Sequence, residues 1–284
     1  MKRKLLEYLE WGSLLMSTTA VCFFLVVILW DLASKGAGSL SWDFVSRFPE
    51  NGMTSGGILP AIIGTVMLTV ITAITAAPFG ICCAIYLHEY APDTPVTRLI
   101  RASIRNLAGV PSVIFGLFGL ACFVQALHLG TSLLSAGLTL GLLSLPYIIV
   151  TSEEALHRVP VSIREGAWAL GATHFEMVRD IVVPSALPGI ITGIILAVSR
   201  AAGETAPILF TGAAYYINNP SFSLDQEFMA LPYHLYMLST QHQSVDLVRP
   251  LAYSTALVLI IVVLLLNLTA FYIRYKSSKD HATA

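Results

Sequence analysis

Charge is what this chain has least of. Only 12% of its 284 residues are Asp, Glu, Lys or Arg, against about 25% in an ordinary soluble domain. That deficit, with 56% hydrophobic residues and a mean hydropathy of +0.75, excludes a conventional soluble fold and puts the chain in a bilayer. The net charge of -1 leaves no cationic excess for a nucleic-acid partner. Lysine is scarce, and none of Lys2, Lys4, Lys35, Lys276 or Lys279 follows a glycine. A phosphate-binding loop needs Gly-Lys, so any ATP hydrolysis must belong to a partner. Cysteine is limited to Cys22, Cys82, Cys83 and Cys122, all within apolar runs. They read as small hydrophobes and not as a disulfide framework or metal site. No Gly-x-Ser-x-Gly occurs, and His88-Glu89 has Pro92 where a zinc protease places its second histidine, which argues against an intramembrane enzyme. No cofactor is expected.

What the chain has instead is long apolar runs. They predict an all-α membrane protein with six transmembrane helices. The first, Trp11 to Trp30, follows a basic Met1-Lys2-Arg3-Lys4 start. At about 20 residues it is long enough to span and is read as a retained helix, not a signal peptide. The others are expected at about 58–87, 107–129, 133–150, 187–213 and 251–273. Thr65, Thr69, Thr72 and Thr75 recur at helical spacing in the second. Either each hydroxyl bonds back to a helix, the reading favoured here, or the four line a pathway. Pro78 is expected to kink that helix. Residues 34–57 are expected as a Gly/Ser-rich loop carrying Trp42, Phe44 and Phe48, and residues 88–106 as a polar loop.

Orientation follows from Lys and Arg. One set of segments holds Lys2, Arg3, Lys4, Arg98, Arg101, Arg105, Arg158, Arg164, Arg179, Arg274, Lys276 and Lys279. The opposite set holds only Lys35, Arg47 and Arg249. Both termini and the 151–186 insert are therefore expected in the cytoplasm. The 214–250 loop then faces outward, either as a contact for a soluble protein or as a lid on its own helices. Its aromatic residues are Tyr215, Tyr216, Phe222, Phe228, Tyr233 and Tyr236.

Two stretches point to chemistry. In Ser199-Arg200-Ala201-Ala202-Gly203-Glu204-Thr205-Ala206-Pro207, Arg200 and Glu204 are four apart and can pair on one helix face. Arg200 lies about 18 Å along a helix starting near Pro188, close to the bilayer middle. One reading is a structural ion pair that locks helices. The other, favoured here, is a pathway, because intramembrane ionisable residues usually mark one. Arginine's planar fork suits an oxyanion. Gly189-x-x-x-Gly193 and Gly203 would admit a close helix, and Pro207 would loosen the helix one turn beyond the pair. The second stretch, Glu165 to Pro184, mixes Glu165, Glu176, Arg179 and Asp180. A helix lying on headgroups would carry a Lys/Arg-rich face. The mixture fits a protein groove better, with Gly171 at a tight turn and Pro184 and Pro188 where the span begins.

The pattern Glu-x-Ala-x3-Gly-x9-Ile-x-x-Pro, here Glu165, Ala167, Gly171, Ile181 and Pro184, resembles the loop motif of ABC importer membrane subunits. Gly166 stands where Ala is usual, and Val183 where Leu is usual. Ile81 to Pro92 (ICCAIYLHEYAP), Leu107 to Gly119 (LAGVPSVIFGLFG) and Ser199 to Pro207 (SRAAGETAP) look like phosphate-specific importer permeases, specifically the PstA type. The resemblance implies a type I ABC importer permease fold with a cytoplasmic coupling helix in loop 152–186. It implies an N-terminal region over residues 1–55, a transmembrane domain over 56–275 and a tail over 276–284. It also implies a place in a bacterial inner membrane. The implied partners are cytoplasmic ATP-binding subunits, two of them, a second permease of the PstC type and a periplasmic or extracellular phosphate-binding protein. Arg200 and Glu204 fall on charged residues linked to phosphate passage in that family. An importer of the same build for sulfate, molybdate or phosphonate remains open. A stand-alone secondary transporter would favour two matching halves, and no such repeat is visible.

Overall fold

Hydrocarbon offers no partner to a backbone N–H or C=O, so apolar runs fold as helices that satisfy themselves. The structure, a computed structural model, describes residues 2–217 and 223–282, with side chains for 11–217 and 223–276. Asn218-Asn219-Pro220 and Phe222 lie outside the described residues, as do the side chains of Lys2, Arg3, Lys4 and Lys279.

Helix α1, Lys2–Gly36, outruns the expected 11–30 at both ends. From Trp11 to Trp30 its surface is exposed within the chain. Residues 34–57 are not a bare loop. Helix α2, Trp42–Ser46, is capped by the Ser41 hydroxyl, which accepts from the Phe44 N–H. A short hairpin pairs β1, Pro49–Glu50, with β2, Ser55–Gly56.

Helix α3, Leu59–Ile85, continues unbroken past Pro78 into a π-helical turn, Tyr86–Tyr90. Its threonines behave as the favoured reading expects. Thr65, Thr69, Thr72 and Thr75 each donate to the carbonyl four residues earlier, at 2.6–2.8 Å. Thr65 also accepts from the Leu231 N–H at 2.8 Å. The stripe is therefore satisfied within the helix and at one loop contact.

The polar loop expected at 88–106 is mostly helix α4, Pro95–Leu107. The Thr94 hydroxyl accepts from the Thr97 N–H and Pro95 opens the first turn, both good starts for a helix. Arg98, Arg101 and Arg105 take one side, while Val96, Leu99, Ile100, Ile104 and Leu107 take the other. An amphipathic helix therefore lay behind the apparent loop. It meets the next helical run, Ser112–Ala126, at 99°. That run is helix α5, Ser112–Gly119, continued by a π-helical segment, Leu120–Ala126. The run Ser112–Ala126 gives about 22 Å of helix, shorter than the 107–129 expected.

Helix α6, Leu133–His157, extends past the expected 150. The insert that follows folds as α7, Val161–Ala169, and α8, His174–Met177, with a Thr173–Glu176 capping box. Helix α8 passes through a π-helical turn, Val178–Val182, into α9, Val183–Ala201. The continuous helix that carries the fifth span therefore runs His174–Ala201, starting and ending more than three turns before the expected 187–213. Pro184 stands in the first turn of α9 and Pro188 one turn further on, both within the continuous helix from His174. The wide turn just before Pro184 absorbs the interruption that a missing N–H imposes. Helix α10, Ala206–Thr211, restarts after a break. Helix α11, Leu231–Thr240, lies in the 214–250 loop, and α12, Val245–Ala282, is the last long apolar helix, longer than the expected 251–273. Among the described residues five helices are long and apolar enough to cross a membrane, or six if the bent pair Pro95–Leu107 and Ser112–Ala126 counts as one span.

Helices α3, α6 and α9 form the centre. Gly189 and Gly193 allow the close approach expected of them. A Cβ on Gly193 would lie 2.3 Å from the Thr151 Oγ1, and one on Gly189 would lie 2.8 Å from the Ala155 Cβ, so α9 rides directly on α6. Gly203 does not share this role: a Cβ there would meet only the Arg200 carbonyl, at 3.6 Å. In the 214–250 loop Phe228, Tyr233 and His234 are buried, packing the loop on its own helices, while Tyr215 and Tyr236 stay more than one third exposed.

Candidate functional site

Helix α9 closes with i→i+3 bonds, Gly203 N–H to the Arg200 carbonyl and Glu204 N–H to the Ala201 carbonyl, each 3.1 Å. Such bonds tighten a last turn. Pro207 then sits in the first turn of α10. The helix therefore breaks at 202–205, before Pro207 and not one turn beyond the pair. Arg200 ends one helix and Glu204 lies in the break, so the two do not share a helix face. They still meet, with Arg200 Nη2 at 3.5 Å from Glu204 Oε1.

The surroundings of Arg200 decide what it can do. Its guanidinium lies 4.3 Å from the ring centroid of Tyr147 on α6, a favourable cation–π distance. Tyr147 is fixed in turn, its hydroxyl donating to the Ala108 carbonyl at 2.9 Å. Next to Arg200, Ser199 donates to Asn267 Oδ1 at 2.7 Å, a polar tie between α9 and α12. The Arg200 side chain is 48% exposed and that of Glu204 17%. The Tyr147 ring and the Glu204 carboxylate position the fork, and about half of the side chain stays exposed. Such a fork can take two oxygens of a tetrahedral anion.

Sequence reasoning found Arg200 and Glu204 but missed Tyr147 and Asn267. Asn267 was findable, as a lone amide in a leucine-rich run. Tyr147 carried no signal, because spacing along α6 does not reveal what crosses it.

The five loop-motif residues do not form one patch. Ala167 is buried against Met177, Val178 and Val182, with Ile181 packed beside them. Glu165, Gly171 and Pro184 are not part of that cluster. Gly171 holds φ +85°, the left-handed region that a tight turn reserves for glycine. The charges that suggested a protein groove are partly local. Glu176 serves the Thr173 cap, and Arg179 and Asp180 pair at 3.6 Å on the surface. The outward face is more apolar than the sequence suggested: Trp168 is 51% exposed, Leu170 91% and Phe175 60%.

Behind that face the insert is tied to the end of α3. Arg164 Nη1 donates to both carboxylate oxygens of Glu89 at 2.7 Å, and Nη2 donates to the Leu156 carbonyl at 3.1 Å. His174 Nε2 lies 3.0 Å from the Glu89 carbonyl. Arg101 reaches the Leu87 carbonyl and pairs with Glu153 at 3.2 Å. Ion pairs and several backbone contacts thus link the insert and α4 to the turn that ends α3 and to the last turns of α6.

Comparison with known proteins places this arrangement. Residues 76–279 match the family model described as "Binding-protein-dependent transport system inner membrane component". A probable ABC transporter permease, YqgI of Bacillus subtilis (strain 168), is 29% identical over 281 residues, covering 95% of both chains. The phosphate transport system permease protein PstA 1 of Mycobacterium tuberculosis (strain CDC 1551 / Oshkosh) is 33% identical over 260 residues, covering 90% of this chain and 84% of the relative. Among solved structures, a bacterial alginate ABC transporter in complex with an alginate pentasaccharide-bound periplasmic protein matches with a TM-score of 0.62. It is 14% identical and covers 93% of this chain and 92% of that one, a likeness of fold alone. The chain is a multi-pass transport subunit of the inner membrane, not an enzyme, and it belongs to the binding-protein-dependent transport system inner membrane components.

Proposed function

We propose that this subunit carries inorganic phosphate into the cell, driven by ATP hydrolysis on partner subunits. The observation that carries the reading is Arg200. It ends a broken intramembrane helix, rests on Tyr147 and keeps half its side chain open. An unsaturated guanidinium at membrane depth is costly unless it serves a polar passage. Phosphate is favoured over other oxyanions by the relatives named as phosphate permeases.

In this reading both termini and residues 152–186 are cytoplasmic. Glu165, Ala167, Gly171, Ile181 and Pro184 shape the segment that docks an ATP-binding subunit, of which two serve the complex. Residues 56–275 form the transmembrane domain, with 1–55 and 276–284 as appendages. Arg200's open face meets a second permease of the PstC type. A periplasmic or extracellular phosphate-binding protein delivers the anion to the outer side. The solved alginate transporter, bound to its periplasmic protein, supports that last kind of partner.

The experiment is purification with whatever subunits co-purify, followed by ATP hydrolysis with phosphate, sulfate, molybdate and phosphonate in turn. Phosphate alone should stimulate. Stimulation by another oxyanion and not by phosphate would overturn the substrate, and a preparation with no ATPase would overturn the class.

A further inference from the structure

The chain holds a second set of cations away from Arg200. Seven of the ten arginines with described side chains are ion-paired. Arg105, Arg158 and Arg274 are not, among the described residues. Two of these three, Arg158 and Arg274, line one cleft of about 280 Å³, together with Thr151, Glu154, Ser185 and Thr192. Neither guanidinium donates to any protein acceptor among the described residues. Most other arginines are neutralised by a carboxylate, and these two are left available together.

The position of the cleft relates it to Arg200. The same three helices build both. At the upper level, Tyr147 on α6 underlies Arg200 on α9, and Ser199 bonds Asn267 on α12. At the lower level, Glu154 on α6 and Arg158 at its C-cap line one cleft with Ser185 and Thr192 on α9 and Arg274 on α12. Tyr147, Thr151, Glu154 and Arg158 are spaced 4, 3 and 4 apart, which is one face of a helix. That face leads from Arg200 to the end of α6, about 16 Å away. Arg158 and Arg274 are exposed. In the orientation proposed above, this end is cytoplasmic.

From this juxtaposition we infer that the cleft between α6, α9 and α12 is a second, inner binding site for a phosphate-class oxyanion, with Arg158 and Arg274 as its cationic ligands. The inference rests on the proposed phosphate passage and extends it to a station on the inner side. Two guanidiniums can surround a tetrahedral anion with up to four N–H donors, and the cleft is several times the ~30 Å³ that one water occupies in the liquid. Glu154 on the same wall keeps the site weak by competing for the arginines, as a site that must release its ion requires. The same chemistry fits two sources, free phosphate arriving from Arg200 or the phosphodiester of an anionic lipid headgroup reaching the cleft from the inner leaflet.

The test uses the full chain in its co-purified complex, reconstituted in nanodiscs of phosphatidylcholine alone or with phosphatidylglycerol. Radiolabelled inorganic phosphate is the probe, compared between wild type, Arg158→Gln/Arg274→Gln, Arg158→Lys/Arg274→Lys and Arg200→Gln. In phosphatidylcholine the Gln/Gln variant should bind phosphate at least tenfold more weakly than Arg200→Gln does, and the Lys/Lys variant should keep most of the binding. If the occupant is lipid, phosphate binding is instead unaffected, and phosphatidylglycerol co-purifies with wild type but is lost from the Gln/Gln variant. Equal phosphate binding together with equal phosphatidylglycerol retention in all four proteins would overturn the site. Failure of the phosphate-import reading is separable: wild-type vesicles would then take up no phosphate, whatever the cleft variants bind.

Discussion

Arg164 holds Glu89 across 75 residues of sequence, one guanidinium nitrogen lying 2.7 Å from each carboxylate oxygen. Only 14% of the arginine side chain and 3% of the glutamate are exposed. The pair joins the segment beside Glu165 to the end of α3, so it is rigid where force from a partner would enter the membrane domain. Removing one member of a buried pair leaves the other uncompensated, at a cost of roughly 3–5 kcal/mol. Glu89→Gln and Arg164→Met should each lower thermal stability in detergent. The Glu89→Met/Arg164→Met double change should recover most of it but not transport. Additive losses in the double variant would show that the pair is not coupled.

Gly171 provides a sharper test of the insert. Nothing lies within 4 Å of a Cβ built on it, so a side chain is opposed only by φ +85°. The strain is about 1–2 kcal/mol for an ordinary residue, enough to reshape a turn without unfolding the protein. Gly171→Val is expected to leave membrane abundance near wild type and to uncouple ATP hydrolysis from uptake. Gly171→Asn, which tolerates positive φ better, should fall between. Full transport by Gly171→Val with normal ATPase binding would remove the docking role.

How much of this was legible in sequence depended on period and depth. The spans and the Arg200–Glu204 pair were readable, because long apolar runs and a charge inside one are coarse signals. The break at 202–205 was not, since Pro207 marks a restart and the carbonyls that close α9 are invisible in one dimension. The helix Pro95–Leu107 was hidden because its three arginines suggested a loop while its apolar residues sat between them at helical spacing. The start of the continuous helix at His174 was hidden by Pro184 and Pro188, which usually stop a helix. The apolar outer face at Trp168, Leu170 and Phe175 was overlooked because exposure is set by how α7 and α8 fold back, not by composition.

Topology has a direct measurement. Both Ser223 and His174 are exposed. In a background without Cys22, Cys82, Cys83 and Cys122, Ser223→Cys should react with a membrane-impermeant maleimide from outside. His174→Cys should react only after permeabilisation. The reverse pattern would invert the orientation inferred from Lys and Arg.

His234, on α11 outside the spans, should make the outer loop sensitive to acid. Burial lowers its pKa from 6.5 to about 4, and its Nδ1 has no hydrogen-bond partner among the described residues. Above pH 6.5 the ring is neutral whether or not the loop is folded. As pH falls from 6.5 towards 4, the unfolded chain takes up the proton first, so stability is lost across that window and levels off below it. The loss is at most roughly 3.5 kcal/mol at about 1.4 kcal/mol per pH unit. Thermal denaturation between pH 7.5 and 4.5 should show a steeper decline for wild type than for His234→Leu. Parallel profiles would mean that the ring is reached by water or a partner.

The last prediction separates passage from scaffolding at Arg200. In the proposed function Arg200 stabilises a crossing phosphate, and Glu204, 3.5 Å away, competes for the guanidinium so that the anion leaves. Conduction needs binding weak enough to release. Arg200→Gln should abolish uptake with normal abundance. Arg200→Lys should retain little, since a point charge lacks the bidentate fork and stacks less well on Tyr147. Glu204→Gln should slow turnover more than it weakens docking of the binding protein. A purely structural pair behaves otherwise. Either single change would then lower abundance, and the Gln/Gln double change would restore both abundance and uptake, because no uncompensated charge remains. The geometry already leans against locking. Arg200 is half exposed, and the tie between α9 and α12 beside it is made by Ser199 and Asn267. Uptake of labelled phosphate with immunoblots of all four variants decides the matter, and transport by the Gln/Gln protein would sink the passage role.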